Sequence, residues 1–389
     1  MSAVAAALRP SDATACAAAL ADATRERRAV RVRGAGTKSY LGELLPTDLV
    51  LETGALSGVV DHVPADLTIT VGAGTALAEV RRALGAHGQV LPLDPPHGDA
   101  ATIGGVVAAN SNGFGRLRYG GVRDLLIGTV VALADGTVAR GGGRVVKNVA
   151  GYDLNKLLIG SLGTLGVLSE ATFKVLPRPE AHALAVVRCR GAGPAFAIAD
   201  ALLHTAVRPS ALVVDATHGR WMVLVGAEGQ RPQVERAIAE TGRAAGGAGA
   251  ATERADDAEE LLAAARELPA TAVDGALIRA ALPLAAQRSF AESAMGLEAA
   301  VRCVVDAGSG IARVHLRGDE ATVLRSADTL LAAAAVVGGS ARVERRDASL
   351  RARLAAWSGA RPGGEFLMRR LKEAFDPAGV LEPGRSVIG

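Results

Sequence analysis

The sequence predicts an α+β fold of two or three domains. Over the first 180 residues, short β-rich runs alternate with helical ones. From about residue 181 the texture changes to strand-like runs between Ala-rich helical segments. The length of 389 residues is more than one core usually serves.

The elements follow in order. Ser11 stands where it can cap a helix over residues 12–28. Val30–Val32 and Leu49–Leu51 read as strands, and Leu67–Val71 runs into Gly72-Ala73-Gly74. A helix starting at Thr75 places Leu77, Val80 and Leu84 on one face, with Gly88 beyond its end. Residues 90–146 read as strand and loop, with β runs at Leu126–Leu133 and Val145–Val146. A short helix capped by Asp153 turns Leu154, Leu157 and Leu158 inward and stops at Gly160. Val167–Leu168 and Ala171–Leu176 close the first domain at Pro177 and Pro179.

Beyond it, strands are expected at Leu184–Val187, Leu212–Val214, Trp221–Val225, 276–280 and 311–316. Helices are expected at 195–206, 231–242 and 319–335, with residues 244–252 as a flexible loop. Phe366, Leu367, Leu371 and Phe375 recur at helical spacing before a turn-rich DPAGVLEPG segment.

Composition excludes several classes. Lys+Arg 43 against Asp+Glu 40 leaves +3, too little for a protein that coats nucleic acid by bulk charge. Cys16, Cys189 and Cys303 are far apart, with no C-x-x-C pair. They form neither a disulfide framework nor an iron–sulfur ligand set, which fits a reducing compartment. The seven histidines are isolated, and no metal-ligand spacing occurs. The N-terminal helix carries Arg and Asp throughout, unlike a signal peptide. The longest apolar stretch, Leu330–Val337, falls far short of the ~20 residues that span a bilayer. A soluble chain is expected, touching a membrane only through a partner.

The 47 glycines are clustered. Arg33-Gly34-Ala35-Gly36-Thr37-Lys38-Ser39 directly follows a strand. Glycines there let successive backbone N–H groups converge on an anion. The segment lacks the third glycine of G-x-G-x-x-G and the G-K-[ST] order of a P-loop. Taken alone, a turn that binds nothing explains it equally well. Three further segments follow: ATIGGVVAANS from Ala101, RLRYGGVRD from Arg116, and KNVAGYDL from Lys147 leading to GSLGTLGVL at Gly160.

Together these motifs resemble the FAD-linked oxidases of the vanillyl-alcohol oxidase / p-cresol methylhydroxylase type. The resemblance covers roughly residues 9–180 and the DPAGVLEPG tail. Within that family, KNVAGYDL, GSLGTLGVLSE and KVLPRP are most similar to the FAD-binding E subunits of bacterial glycolate oxidase (glycolate dehydrogenase). The resemblance implies an FAD-binding domain over 1–180, with subdomains of about 1–65 and 66–180. A cap domain over 181–345 and a segment 346–389 returning to the FAD domain would follow.

The same resemblance implies a binding site. Arg33, Gly34, Ala35, Gly36, Thr37, Lys38 and Ser39 would wrap the FAD pyrophosphate. Thr102, Gly104 and Gly105 would lie along the pyrophosphate and ribityl chain, with Ala108 and Asn112 nearer the isoalloxazine. Val167 and Leu168 would meet FAD through their backbones. Thr37-Lys38 stands where covalent members often carry a His, so non-covalent FAD is implied. The implied role is oxidation of glycolate to glyoxylate together with a catalytic FAD subunit and an iron–sulfur subunit. The implied location is cytoplasmic, or peripheral on the inner face of the cytoplasmic membrane.

Catalytic 2-hydroxy-acid dehydrogenases of this family carry H-x-G-D-G-N-x-H and E-H-G motifs, which place a metal and a base beside the substrate. Here the comparable stretch reads GIARVHLRG, and RPGGE contains no Glu–His pair. No catalytic residue is identified, and the isolated chain is expected to be inactive. Two alternatives stand: a self-sufficient FAD-dependent 2-hydroxy-acid dehydrogenase, and a scaffold whose FAD is not redox-active. His315 reads best as a packed histidine between Val314 and Leu316, and the cysteines as buried small hydrophobes. Arg116, Arg118 and Arg123 suit a carboxylate, a neighbouring subunit or a structural role.

Overall fold

The first helix spans Ala13–Glu26, capped by Asp12, whose side chain accepts from the Ala15 N–H at 2.8 Å. This corrects the expected Ser11 cap. The helix ends where Arg27 takes a left-handed conformation. Its Cys16, Leu20 and Ala23 pack on Val30, Leu49 and Leu51. Those residues belong to a parallel sheet ordered Ala6–Leu8, Leu49–Glu52, Val30–Arg33. The computed structural model describes residues 6–143, 153–253, 257–359 and 363–388. It divides into two compact units: Met1–Asn112 with Gly120–Arg178 and Pro362–Gly389, and Gly113–Tyr119 with Pro179–Arg361.

The first unit also holds a five-stranded antiparallel sheet. Its order is Val59–Val63, Thr68–Gly72, Val167–Lys174, Leu126–Ala132, Val138–Gly142. Val167–Lys174 is one continuous strand, where two runs were expected. Leu77, Val80 and Leu84 of the helix Leu77–Gly85 bury against Ile69, Val71 and Phe173, as their spacing predicts. Residues 103–108 form a helix, Ile103–Ala108, rather than a loop. Small residues let it lie against the sheet: the Gly104 N–H donates to the Ala73 carbonyl at 2.7 Å. The short helix Asn155–Leu158 buries Leu158 but leaves Leu154 exposed, so Leu154 is not a core residue. Val145–Val146 and the KNVAGY part of KNVAGYDL lie outside the described residues.

The second unit is an eight-stranded antiparallel sheet. Its order is Thr252–Glu253, Ala181–Cys189, Arg220–Gly229, Ala211–Thr217, Ala300–Asp306, Ile311–Leu316, Ala276–Ala281, Ser340–Arg346. On one face, Leu212, Val214, Ile278 and Val314 pack against the helices Ala192–Leu203, Gln287–Met295 and Glu320–Val336. On the other, Val186, Val213, Leu277 and Val304 meet the helix Ala258–Arg266. The expected loop 244–252 is largely ordered structure. The helix Arg231–Gly247 runs through its first half, and Ala245 is fully buried. Poor intrinsic helix propensity of Gly246 and Gly247 is overridden because that Ala face packs on the sheet.

Candidate functional site

The strand Val30–Arg33 delivers the chain into the loop Gly34–Ser39. A Cβ at Gly34 would come within 2.3 Å of Thr102 Oγ1, so only glycine allows this approach. Gly36 is left-handed at φ +75°, and its carbonyl accepts from both Ser39 N–H (3.0 Å) and Ser39 Oγ (2.8 Å). The N–H groups of Ala35, Gly36 and Thr37 find no protein partner among the described residues. Three successive free donors on a tight turn form a concavity suited to an anion. Lys38 Nζ donates to the Pro96 carbonyl at 2.7 Å, which ties the loop down.

The loop walls a cavity of about 260 Å³ that Thr102, Gly105 and Ala108 also line. That is below the roughly 300–1,000 Å³ of a complete small-molecule site, so it suits one part of an extended ligand. Gly104, Asn112, Val167 and Leu168 are not among its lining residues. Gly104 packs on Ala73, where a Cβ would lie 3.0 Å from the Ala73 Cβ. Asn112 Oδ1 accepts from Val122 N–H at 2.9 Å. Val167 and Leu168 are buried and pair with Ala132 and Val131.

Sequence reasoning missed three charged residues of this cavity, Arg31, Glu382 and Arg385. Glu382 and Arg385 are buried. Glu382 Oε1 accepts from the Val32 N–H at 2.7 Å. Its Oε2 faces Arg31 Nε at 3.2 Å and Arg385 Nε at 3.4 Å, yet none of these three buried atoms makes a hydrogen bond. Burial raises the Glu382 carboxyl above its usual range, against the pull of Arg385 and Arg31. Burial likewise lowers the Arg385 guanidinium. Unsatisfied polar atoms beside free loop N–H groups fit a polar, phosphate-bearing ligand. The sequence signal was Glu382 in the DPAGVLEPG motif with Arg385 three residues after it.

The second unit carries another concentration of charge. Arg313, Arg279 and Arg342 stand opposite one another on three adjacent strands. Glu344 accepts from Arg313 Nε at 2.7 Å. Burial would raise the Glu344 carboxyl, but Arg313 and Arg279 outweigh it and hold it low. Burial pulls the Arg279 guanidinium down to about 10. The Arg279 side chain makes no hydrogen bond or ion pair among the described residues, and Arg342 lies 5.3 Å over the Trp357 ring. The sequence signal was an Arg among small and apolar residues in each strand, in LIRAA, ARVHL and ARVE.

Residues weighed for catalysis have structural partners. His315 is buried, and its Nε2–H donates to the Asp274 carbonyl at 2.8 Å. Arg118 donates to the Arg208 carbonyl at 2.9 Å and lies over the Tyr119 ring. Tyr119 donates to Glu228, and burial pushes its phenol up to about 12. Burial also pushes the Cys16 and Cys303 thiols up to about 12. No three His, Cys, Asp or Glu side chains group as a metal site among the described residues.

Comparison with known proteins decides the class. Residues 4–142 match the family of FAD binding domains, and residues 360–386 match the C-terminal domain of FAD linked oxidases. The fold is that of p-cresol methylhydroxylase, with a TM-score of 0.77 at 15% identity, covering 98% of this chain and 88% of that one. Alkyldihydroxyacetonephosphate synthase is also similar, with a TM-score of 0.73 at 14% identity, covering 96% and 75%.

The chain carries an FAD binding domain and the C-terminal domain of FAD linked oxidases.

FAD is its cofactor, and the free N–H groups of the Gly34–Ser39 loop fit a pyrophosphate. Among sequence relatives, the chain is 45% identical over 151 residues to glycolate oxidase subunit GlcE of Escherichia coli, 39% of this chain and 43% of that one. It is 41% identical over 150 residues to glycolate oxidase subunit GlcD of Bacillus subtilis, covering 38% and 32%. It is 35% identical over 174 residues to a D-lactate dehydrogenase of Archaeoglobus fulgidus, covering 44% and 38%. The matched stretch is under half the length of each relative. No helix among the described residues is long and apolar enough to cross a membrane.

Proposed function

We propose that this chain is the FAD-binding subunit of a glycolate oxidase complex, acting with a catalytic FAD subunit and an iron–sulfur subunit. The observation that carries the reading is the 45% identity over 151 residues to a glycolate oxidase subunit. In this reading residues 1–180 and the tail form the FAD domain, and 181–345 form the cap. Arg33 to Ser39 wrap the pyrophosphate of a non-covalent FAD through backbone N–H groups, and Thr102 fixes the loop by its contact with Gly34. Gly105 and Ala108 keep the wall beside it free of side chains. Gly104 acts by seating the Ile103–Ala108 helix, Asn112 by fixing the turn that follows, and Val167 and Leu168 by their backbones.

FAD held there supplies a two-electron acceptor. Oxidation of glycolate to glyoxylate releases two electrons and two protons. This chain has only three scattered cysteines, so electrons leave through an iron–sulfur partner. The complex works in the cytoplasm or on the inner face of the cytoplasmic membrane.

A second reading, a self-sufficient 2-hydroxy-acid dehydrogenase, has one observation of its own. The Arg313–Arg279–Arg342 ladder offers guanidinium groups to a carboxylate. An anaerobic mixture of the FAD-loaded chain and glycolate separates the two. No bleaching of the flavin band by the lone chain, and bleaching once the partners are added, is the expected result. Rapid bleaching by the lone chain selects the second reading.

A further inference from the structure

We propose that Glu382 and Arg385 are positioning residues for FAD: together they clasp both ends of the 32–41 segment and hold its N–H groups convergent. The inference rests on that segment being the pyrophosphate loop.

The clasp is built from hydrogen bonds across more than 340 positions of sequence. At the loop's entry, Val30 N–H donates to the Val380 carbonyl at 2.8 Å, and Glu382 N–H donates back to Val30 at 2.9 Å. This short parallel pairing brings the Glu382 carboxylate onto the Val32 N–H. At the loop's exit, Arg385 Nη1 donates to the Leu41 carbonyl at 2.8 Å and the Lys38 carbonyl at 3.2 Å. Glu43 N–H closes the far side on the Gly384 carbonyl at 2.9 Å. One acidic and one basic side chain, three residues apart on the tail, therefore pin the two ends of one loop.

The tail is itself anchored. Asp376, fully buried at its side chain, accepts from the Val380 and Leu381 N–H groups at 3.1 and 2.8 Å. Lys372 Nζ donates to Leu381 and Thr164 carbonyls at 2.9 and 3.0 Å. Glu382 takes a left-handed backbone at φ +49°, an uncommon conformation for a bulky residue that the surrounding contacts impose. A loop with several free N–H groups repels itself dipole against dipole. Bonds to its carbonyls and flanks are what keep it from relaxing before an anion arrives.

The test titrates apo protein with FAD and follows quenching of flavin fluorescence. Arg385→Ala and Glu382→Gly are compared with wild type; glycine keeps the left-handed backbone while removing the Val32 acceptor. Each is expected to raise the FAD Kd at least tenfold. Arg385→Lys, which retains charge but reaches only one carbonyl, is expected to recover part of the loss. Trypsin provides a readout that general destabilisation does not move selectively: cleavage after Lys38 should speed up in both apo variants relative to other sites, and FAD should suppress it. Folded variants with a Kd within twofold of wild type and unchanged cleavage at Lys38 overturn the proposal. If Arg385→Ala does not fold, Glu382→Gly and Arg385→Lys decide it. A wild-type chain that binds no FAD overturns the loop assignment instead.

Discussion

Two buried carboxylates, one in each unit, sit among arginines and behave in opposite ways. Glu344 in the eight-stranded sheet is held low, because Arg313 donates to it directly and Arg279 and Arg342 add their fields. Glu382 in the first unit is held high by burial, which outweighs the pull of Arg385 and Arg31, and its Oε2 makes no hydrogen bond to either guanidinium Nε. Burial acts on both carboxylates, and what sets them apart in the structure is the direct Arg313 hydrogen bond to Glu344, which Glu382 Oε2 lacks. A buried ion pair offsets the cost of burial only when its donors are aligned. Glu344 belongs to a settled pair. Glu382 belongs to a cavity whose polar atoms are still unsatisfied.

The largest test of this contrast is Glu344→Ala. Removing the counter-charge strands Arg313 and Arg279, and should cost about 3–5 kcal/mol of stability. Urea unfolding should show it, while FAD affinity stays within twofold of wild type. A loss below about 1 kcal/mol would mean the Glu344 pair is no better satisfied than that of Glu382.

Gly34→Val probes the other unit. Its Cβ would fall 2.3 Å from Thr102 Oγ1, and overpacking of this kind costs about 1–3 kcal/mol. The loop should yield, so FAD affinity should fall about tenfold or more, measured by equilibrium dialysis. Unchanged affinity would remove the Gly34–Thr102 approach from the site.

The pH dependence separates the carboxylates by sign. Glu344, lowered from 4.5, contributes stability that is present above that value and lost as pH falls through its native value. Glu382, raised from 4.5, binds its proton more tightly when folded, so it lowers stability as pH rises from 4.5 through its native value. Glu344→Gln should therefore flatten the acid limb of a stability–pH curve, and Glu382→Gln the limb just above pH 4.5. Curves with the two effects exchanged would reverse the contrast.

The smallest effect is a shared one. Cys16 and Cys303 lie in different units, and burial pushes both thiols up to about 12. Iodoacetamide at pH 8 should leave both unmodified in the folded chain while labelling partly buried Cys189 slowly. Mass spectrometry after digestion would read the difference, and fast labelling of Cys303 would show that its unit opens.

Much of the architecture was legible because its signals are local. Leu77, Val80 and Leu84 specify one helical face whatever surrounds them, and all three are buried. Ile311–Leu316 reads as a strand in sequence and is one. Misreadings arose where packing overrode propensity. Gly246 and Gly247 suggested a loop, yet the helix continues because Ala245 is buried against the sheet. Gly104 and Gly105 suggested a binding loop, yet they lie in a helix whose small residues permit close packing. Leu154 was placed inward by periodicity, but one turn of helix is too short for periodicity to fix a face.

By itself, then, the sequence determined the α+β class, the glycine-lined turn after Val30–Arg33 and the motifs of an FAD-linked oxidase. These depend on stereochemistry within a few residues: side-chain period, backbone freedom at Gly36, and the donors a turn leaves free. Only the tertiary structure decided that Arg385 reaches Leu41 across 344 positions and that Arg313, Arg279 and Arg342 share one register. Contacts of that kind are set by strand pairing and chain return. No spacing in the sequence encodes them, because the energy that selects them comes from burying whole surfaces together.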